Sequence, residues 1–134
     1  KKPLPSELIV YGRLPLMITE NCLVQNETGC RLDRQGPCVP EDGPCRCGQP
    51  NVLVDRTGAA FPLLPAYGHR TEIQNSKPLY LADRPEHRRL GLAYARLRFT
   101  TETAEECVSV VQNYLDAAPA AGDFTRGLYE RGVE

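Results

Sequence analysis

The sequence predicts an α/β fold. Near the amino end, residues 8–11 are apolar on both faces and include β-branched members, which is typical of a strand covered on both sides. Near the carboxyl end, the alternating segment 94–99 runs directly into the clearest amphipathic helix of the chain. Strand and helix signals that follow one another in this way are typical of α/β organisation.

The composition fits one globular domain or a piece of one. The chain has 134 residues, of which 41% are hydrophobic and 25% charged, and its net charge of −1 gives no overall attraction to nucleic acid or membrane. No run approaches the roughly 20 apolar residues that cross a bilayer. Met17 is the only methionine and no signal peptide precedes the first strand, so we expect a fragment of a larger cytoplasmic protein.

The first strand signals are interrupted by turn residues. The patterns of residues 8–11 and 14–19 both predict strand. Gly12 and Pro15 interrupt the apolar segment, so we expect one bent strand.

A β-hairpin is expected over residues 51–64. Two strand-like runs flank Asp55-Arg56-Thr57-Gly58, which is a good turn sequence. Pro62 predicts that the second strand lies at a sheet edge. Residues 70–74 then form another short extended piece.

The second half begins with a short helix and a basic strand. Asp83 is expected to cap the helix, with Pro85 in its first turn and Gly91 at its end. The segment 94–99 follows as a strand. Basic side chains on these two elements predict either an RNA phosphate contact surface or a solvated face: Arg84, His87, Arg88, Arg89, Arg96 and Arg98.

The strand–helix segment 94–116 carries the main helix. Its glutamates favour the positive amino end of the helix, which stops before Pro119. The tail 120–134 is expected to dock through Phe124 and Tyr129 or to extend without structure. The predicted buried stripe of the helix, with its core cysteine, is Ala104, Cys107, Val108, Val111 and Leu115.

A cysteine-rich loop spans residues 20–49 and cannot be held by packing alone, because it has almost no apolar periodicity. A metal, a cluster or disulfides must order it, and a reducing compartment favours metal. Glu20 and Asn21 precede it as candidates for chemistry or for shaping the loop entry. The loop contains five of the six cysteines, at 22, 30, 38, 45 and 47.

Four motifs, taken in order over nearly the whole chain, resemble the carboxyl-terminal half of the core domain in the U32 peptidase family, the collagenase-like proteases. The motifs are VYGRLPLM at 10–17 leading to Glu20-Asn21-Cys22, DRTGAAFPL at 55–63, EIQNSKPL at 72–79, and FTRGLYERGV at 124–133.

This resemblance implies a distorted TIM-like barrel, of which the chain would be the second half, with the first strands upstream. It implies a hydrolase acting on protein or peptide, although it carries over no catalytic residue. Several branches of the family instead hold a 4Fe–4S cluster and serve hydroxylation of tRNA, of ribosomal RNA or of ubiquinone. An RNA-hydroxylating protein is therefore one alternative, and a non-catalytic, metal-stapled interaction module is another.

The resemblance also suggests the ligand set. Cys22, Cys30 and Cys47 would supply thiolates, with Cys45 as an alternative to Cys47 because the Cys45-Arg46-Cys47 spacing is tight. His69 is the candidate fourth ligand, since relatives commonly have cysteine there.

The sequence leaves other interpretations of these cysteines and of His69 open. The site could hold a cluster or zinc, or the isolated fragment could hold nothing, with its cysteines as thiols or disulfides and His69 as a surface residue. The role of Cys38 stays open.

The expected partners are the missing amino-terminal half, a protein, peptide or RNA substrate, and no membrane. Strand edges exposed by the missing half would also favour pairing with a second copy.

Overall fold

The computed structural model describes residues 4–28 and 46–129. The elements are β1 (Glu7–Gly12), β2 (Pro15–Thr19), α1 (Leu23–Thr28), β3 (Asn51–Val54), β4 (Ala60–Ala66), β5 (Arg70–Gln74), β6 (Leu79–Tyr80), a 3₁₀ helix (Pro85–Leu90), β7 (Tyr94–Leu97) and α2 (Ala104–Leu115). They fall into two compact units, which divide between Arg13 and Leu14 and between Ser76 and Lys77. We call residues 4–13 and 77–129 the mixed unit, and residues 14–28 and 46–76 the antiparallel unit.

The described residues correct the expected TIM-like barrel, because they form two open sheets. The mixed unit has the strand order β6-β1-β7, and the antiparallel unit has the order β2-β5-β4-β3. Among the strands of the described residues, β1 and β7 are the one parallel pair. The physical reason lies in the connections: a barrel of this type repeats a strand–helix–parallel-strand unit, whereas the short links β3–β4 and β4–β5 allow only antiparallel neighbours. In place of the predicted partial barrel, the described residues form a mixed arrangement that is mostly sheet.

Gly12 separates two strands that the sequence predicted as one bent strand. β1 lies in one sheet and β2 in the other. Gly12 has φ +119°, and a Cβ at this position would lie 2.0 Å from the carbonyl oxygen of Arg98. Only glycine permits both this backbone conformation and this approach.

The hairpin is confirmed, but its second strand is not at an edge, because β4 lies between β3 and β5. The stagger of the sheet explains why prolines are tolerated there. Pro62 is in the half of β4 that pairs with β3, and Pro65 is in the half that pairs with β5. Each proline therefore has a paired strand on one side only.

The core of the mixed unit is largely aromatic. Tyr11 and Tyr80 are buried at its centre with ring centroids 6.4 Å apart, and Phe99, Tyr114 and Phe124 pack around them. Tyr80 contacts both Tyr114 and Phe124, at 5.5 and 6.1 Å between centroids. Edge-on and tilted contacts of this kind suit the ring quadrupoles.

The face on which α2 packs differs from the predicted one. Cys107, Val110 and Tyr114 are half-buried, and the latter two pack on the aromatic core. The remaining stripe stays in water, with Val108 70% and Leu115 72% exposed. Amphipathicity predicted that α2 has an apolar face, but the helix packs through Tyr114, whose hydroxyl reaches the sheet backbone.

The short helix and the tail are joined by an ion pair. The helix is a 3₁₀ helix with Arg84 as its amino-terminal cap, so Asp83 is not the cap that the sequence predicted. The carboxylate of Asp83 instead accepts two hydrogen bonds from Arg126, at 2.6 and 2.8 Å. With Phe124 on the core and Tyr129 donating to Glu86, docking of residues 124–129 is confirmed.

Candidate functional site

The four-stranded sheet of the antiparallel unit brings several chain segments to one end. Thr19, the last residue of β2, pairs with Thr71 near the start of β5. Ala66, the last residue of β4, pairs with Arg70, the first residue of β5. β3 runs antiparallel to β4 and begins at Asn51, so the chain before β3 leaves the sheet at the same end.

We call this edge of the sheet the cysteine end, because three predicted ligands lie there. Cys22 follows β2 by three residues, His69 lies in the turn between β4 and β5, and Cys47 lies in the turn before β3. Residues far apart in sequence are thus gathered by antiparallel topology rather than by the barrel that the resemblance implied.

Cys22 is a buried free thiol, 6% exposed. A threonine pair fixes the backbone around it. The hydroxyl of Thr71 accepts a hydrogen bond from the Leu23 backbone N–H at 3.0 Å, and the hydroxyl oxygen of Thr19 accepts from the Thr71 backbone N–H at 3.2 Å. The start of α1, and with it Cys22, is therefore held against β5.

Cys47 lies in a turn that one asparagine closes. The Asn51 side-chain amide donates to the carbonyl oxygens of Arg46 at 2.9 Å and Gln49 at 2.7 Å. The Gln49 backbone N–H also donates to the Arg46 carbonyl, at 3.1 Å. These bonds hold the half-buried Cys47 close to the start of β3.

His69 occupies an unusual backbone conformation, with φ +56° beside Gly68 at +73°. Left-handed residues of this kind are uncommon outside glycine, although histidine adopts the conformation more readily than bulky residues do. The tight turn places the half-buried imidazole at the cysteine end.

Within residues 4–28 and 46–129, no group of three or more histidine, cysteine, aspartate or glutamate side chains is arranged to hold a metal ion. Cys22, Cys47 and His69 share an end of the sheet without forming such a group by themselves. Cys30, Cys38 and Cys45 lie outside the described residues, so the five-residue ligand set stays a prediction. Cys107 is in α2, in the other unit.

Glu20 is used in an ion pair at this end of the sheet. Its carboxylate accepts from the guanidinium of Arg70 at 2.9 Å, with side chains 82% and 45% exposed. Asn21 contributes its carbonyl oxygen, which accepts from the Thr19 hydroxyl at 2.5 Å. Both contacts shape the entry to the cysteine segment, which is one of the two roles that the sequence predicted for these residues.

The mixed unit has a polar cleft of about 460 Å³ at the carboxyl ends of its parallel strands β1 and β7. Its central groups are occupied by internal bonds: Glu102 accepts from Tyr11 at 3.3 Å and from the Thr100 backbone N–H at 2.7 Å. Burial, followed by the nearby Glu102 charge, raises the pKa of Tyr11 well above its ordinary value. Tyr11 therefore stays protonated and acts as a hydrogen-bond donor. The polar groups of this cleft are held in place by bonds to one another, and the sequence did not predict the cleft.

The predicted basic surface is divided by the structure. His87 is buried at 4% exposure, and Arg96 binds Glu7 at 2.7 Å through a two-pronged ion pair. Arg88 and Arg89 remain exposed on the 3₁₀ helix. A phosphate contact surface would rest mainly on these two residues.

Comparisons with known proteins give no relative for the chain. No family model, no curated protein and no solved structure matches it. In the described part of the chain, no helix has both the length and the apolar character to span a membrane.

Proposed function

We propose that this chain is part of a U32-type protein whose cysteine segment binds an iron–sulfur cluster or zinc at the cysteine end of the antiparallel unit. The observation that supports the proposal is the convergence of Cys22, Cys47 and His69 on one end of a single sheet. The register of the antiparallel strands sets this convergence.

The donor chemistry fits such a group. Two thiols and an imidazole are soft or borderline ligands suited to zinc and to iron–sulfur clusters. Cys30, which follows α1 in the sequence, would complete a set of four, with Cys45 as an alternative to Cys47. A cluster would supply one-electron chemistry, and zinc would brace the loop.

Anaerobic reconstitution of the 134-residue chain tests the proposal. Iron and sulfide should produce a broad absorption band at about 400 nm, or Zn²⁺ alone should bind stoichiometrically. We expect Cys22→Ser and Cys47→Ser to lose at least about tenfold in metal affinity. Cys107→Ser is the matched control and should bind as the unaltered chain does.

Two results would contradict the proposal. One is a chain that retains neither iron nor zinc under anaerobic conditions. The other is equal loss of metal in Cys107→Ser and Cys22→Ser, which would mean that binding is non-specific thiol capture. His69→Cys addresses the fourth ligand and should retain the metal, whereas His69→Ala should weaken it.

The activity of the longer protein follows from the resemblance, which favours peptide-bond hydrolysis. Gelatin degradation by the longer protein, unaffected by cysteine substitutions, would support this activity. Loss of a hydroxylated tRNA or ribosomal RNA nucleoside in a deletion strain, measured by mass spectrometry, would support the RNA alternative. If neither activity appears, the metal-stapled interaction module is the remaining proposal.

Two further properties belong to this proposal. A cytoplasmic location agrees with clustered cysteines used for metal.

Pairing with a second copy is supported by the outer strands of the antiparallel sheet, because β2 and β3 carry exposed apolar side chains. Met17 and Ile18 on β2 are 57% and 58% exposed, and Val52 and Val54 on β3 are 57% and 58% exposed. Light scattering over a dilution series measures this association.

A further inference from the structure

The mixed unit has a groove between β7, the 3₁₀ helix and α2. Its volume is about 330 Å³, within the size range of small-molecule pockets. Most of the surface that lines it is apolar and includes Leu97, Val111 and Leu115, while His87 and Arg88 add two nitrogen-bearing side chains. We propose that this groove binds a small carboxylate with an apolar body, such as a medium-chain fatty acid or an arylalkanoic acid.

The apolar wall includes residues of the α2 stripe that does not pack on the core. Val111 and Leu115 are 42% and 72% exposed, and Tyr94 on β7 is 63% exposed. Apolar side chains that line a concave surface favour an apolar occupant, because contact removes them from water. The body of the ligand is therefore hydrocarbon or an aromatic ring.

His87 supplies a specific polar contact. The side chain is 4% exposed, and its buried Nδ1 has no hydrogen-bond partner among the residues that the structure describes. Buried polar atoms are nearly always paired, so an unpaired one in a side chain that lines a groove is a candidate partner for a ligand group. In the Nδ1–H tautomer His87 donates, which suits a carboxylate oxygen.

Arg88 makes the site anion-selective. Its guanidinium donates to the Tyr114 carbonyl oxygen at 3.1 Å, and within the described part of the chain no carboxylate lies within ion-pair distance of it. Arg96, on the neighbouring strand, already binds Glu7. Arg88 thus keeps donors for a carboxylate, and a charged hydrogen bond of this type is stronger than a neutral one.

The test uses decanoate below its micellar concentration, with 1-decanol as the uncharged analogue of the same length. Binding to the 134-residue chain is followed by amide chemical shifts and calorimetry. We expect decanoate to bind about tenfold more tightly than decanol. Arg88→Gln should reduce decanoate to the decanol level, and Arg89→Gln, on the same helix but outside the groove, should not.

A second pair of variants addresses the apolar wall. Val111→Asp places a carboxylate in the groove and should abolish binding of decanoate, whereas Val108→Asp, on the exposed face of the same helix, should leave it unchanged. His87→Gln, checked for an unaltered amide spectrum, should weaken decanoate more than decanol.

Three results would overturn the proposal. The first is no saturable shift with decanoate. The second is equal affinity for decanoate and decanol with no effect of Arg88→Gln, which would mean a merely apolar groove. The third is a dimer that Val111→Asp dissociates, which would make a second copy the occupant. None of these bears on the metal site, since all groove residues lie in the mixed unit.

Discussion

The hydroxyl of Tyr114 joins two buried backbone groups of the mixed unit. It donates to the Val10 carbonyl oxygen at 2.5 Å and accepts from the Leu81 N–H at 2.8 Å. Val10 is 0% and Leu81 3% exposed, so neither backbone group can turn to water when the hydroxyl is removed. Burial raises the pKa of Tyr114 to about 12, so the hydroxyl is protonated and able to donate at neutral pH.

Tyr114→Phe should therefore lower the free energy of unfolding by about 2–6 kcal/mol, because each of the two buried groups left without a partner costs about 1–3 kcal/mol. The ring stays in place, so the aromatic packing is unchanged. Tyr94→Phe is the matched control, since Tyr94 is 63% exposed, and should change stability by less than about 0.5 kcal/mol.

Urea unfolding followed by circular dichroism gives the two free energies. Amide hydrogen exchange at Leu81 gives a local readout and should accelerate by at least about tenfold in Tyr114→Phe. Equal stability of the two phenylalanine variants, together with unchanged exchange at Leu81, would refute the bridging role of the hydroxyl.

Two more predictions concern the mixed unit. Gly12→Ala should lower the free energy of unfolding by more than about 3 kcal/mol or prevent folding, because its Cβ would lie 2.0 Å from the Arg98 carbonyl oxygen. Gly58→Ala is the control: Gly58 also has a positive φ, but it has open space around it. This variant should lower the free energy of unfolding by only about 1 kcal/mol in the same urea assay. Asp83→Asn should cost about 1–3 kcal/mol at pH 7, because the hydrogen bonds from Arg126 hold the pKa of Asp83 below its ordinary 3.8. This contribution is complete above pH 3.8 and disappears as pH falls through the lowered folded value, so the gap between Asp83→Asn and the unaltered chain should close below that pH. A difference in unfolding free energy between the two proteins that stays constant as the pH falls below 3.8 would contradict the ion pair.

Part of the fold follows from local sequence signals. The turn 55–58 is closed by the Asp55 carboxylate, which accepts from the Thr57 and Ala59 backbone N–H groups at 2.7 and 3.0 Å, and Gly58 takes φ +85°. Thr103 and Glu106 form a reciprocal capping box at the start of α2. Such features were predictable because both partners lie within four residues of each other.

The candidate site was predictable only in its residue types. Clustered cysteines indicated a metal or cluster, but the sequence alone did not place Cys22, Cys47 and His69 at one end of an antiparallel sheet. That placement depends on strand register, which joins residues such as Thr19 and Thr71 that are about fifty positions apart. Register is set by which side chains are buried together, so no local pattern specifies it.

The sequence by itself determined the turn 55–58 and the start of α2, because hydrogen bonds between near neighbours fix both features. Tertiary structure alone decided that β1 and β2 belong to different sheets, and that α2 packs through Val110 and Tyr114. The apolar stripe had predicted a different face for α2. The core selected Tyr114 because its hydroxyl satisfies two backbone groups that burial would otherwise leave unpaired, and the face left in water includes a wall of the proposed carboxylate groove.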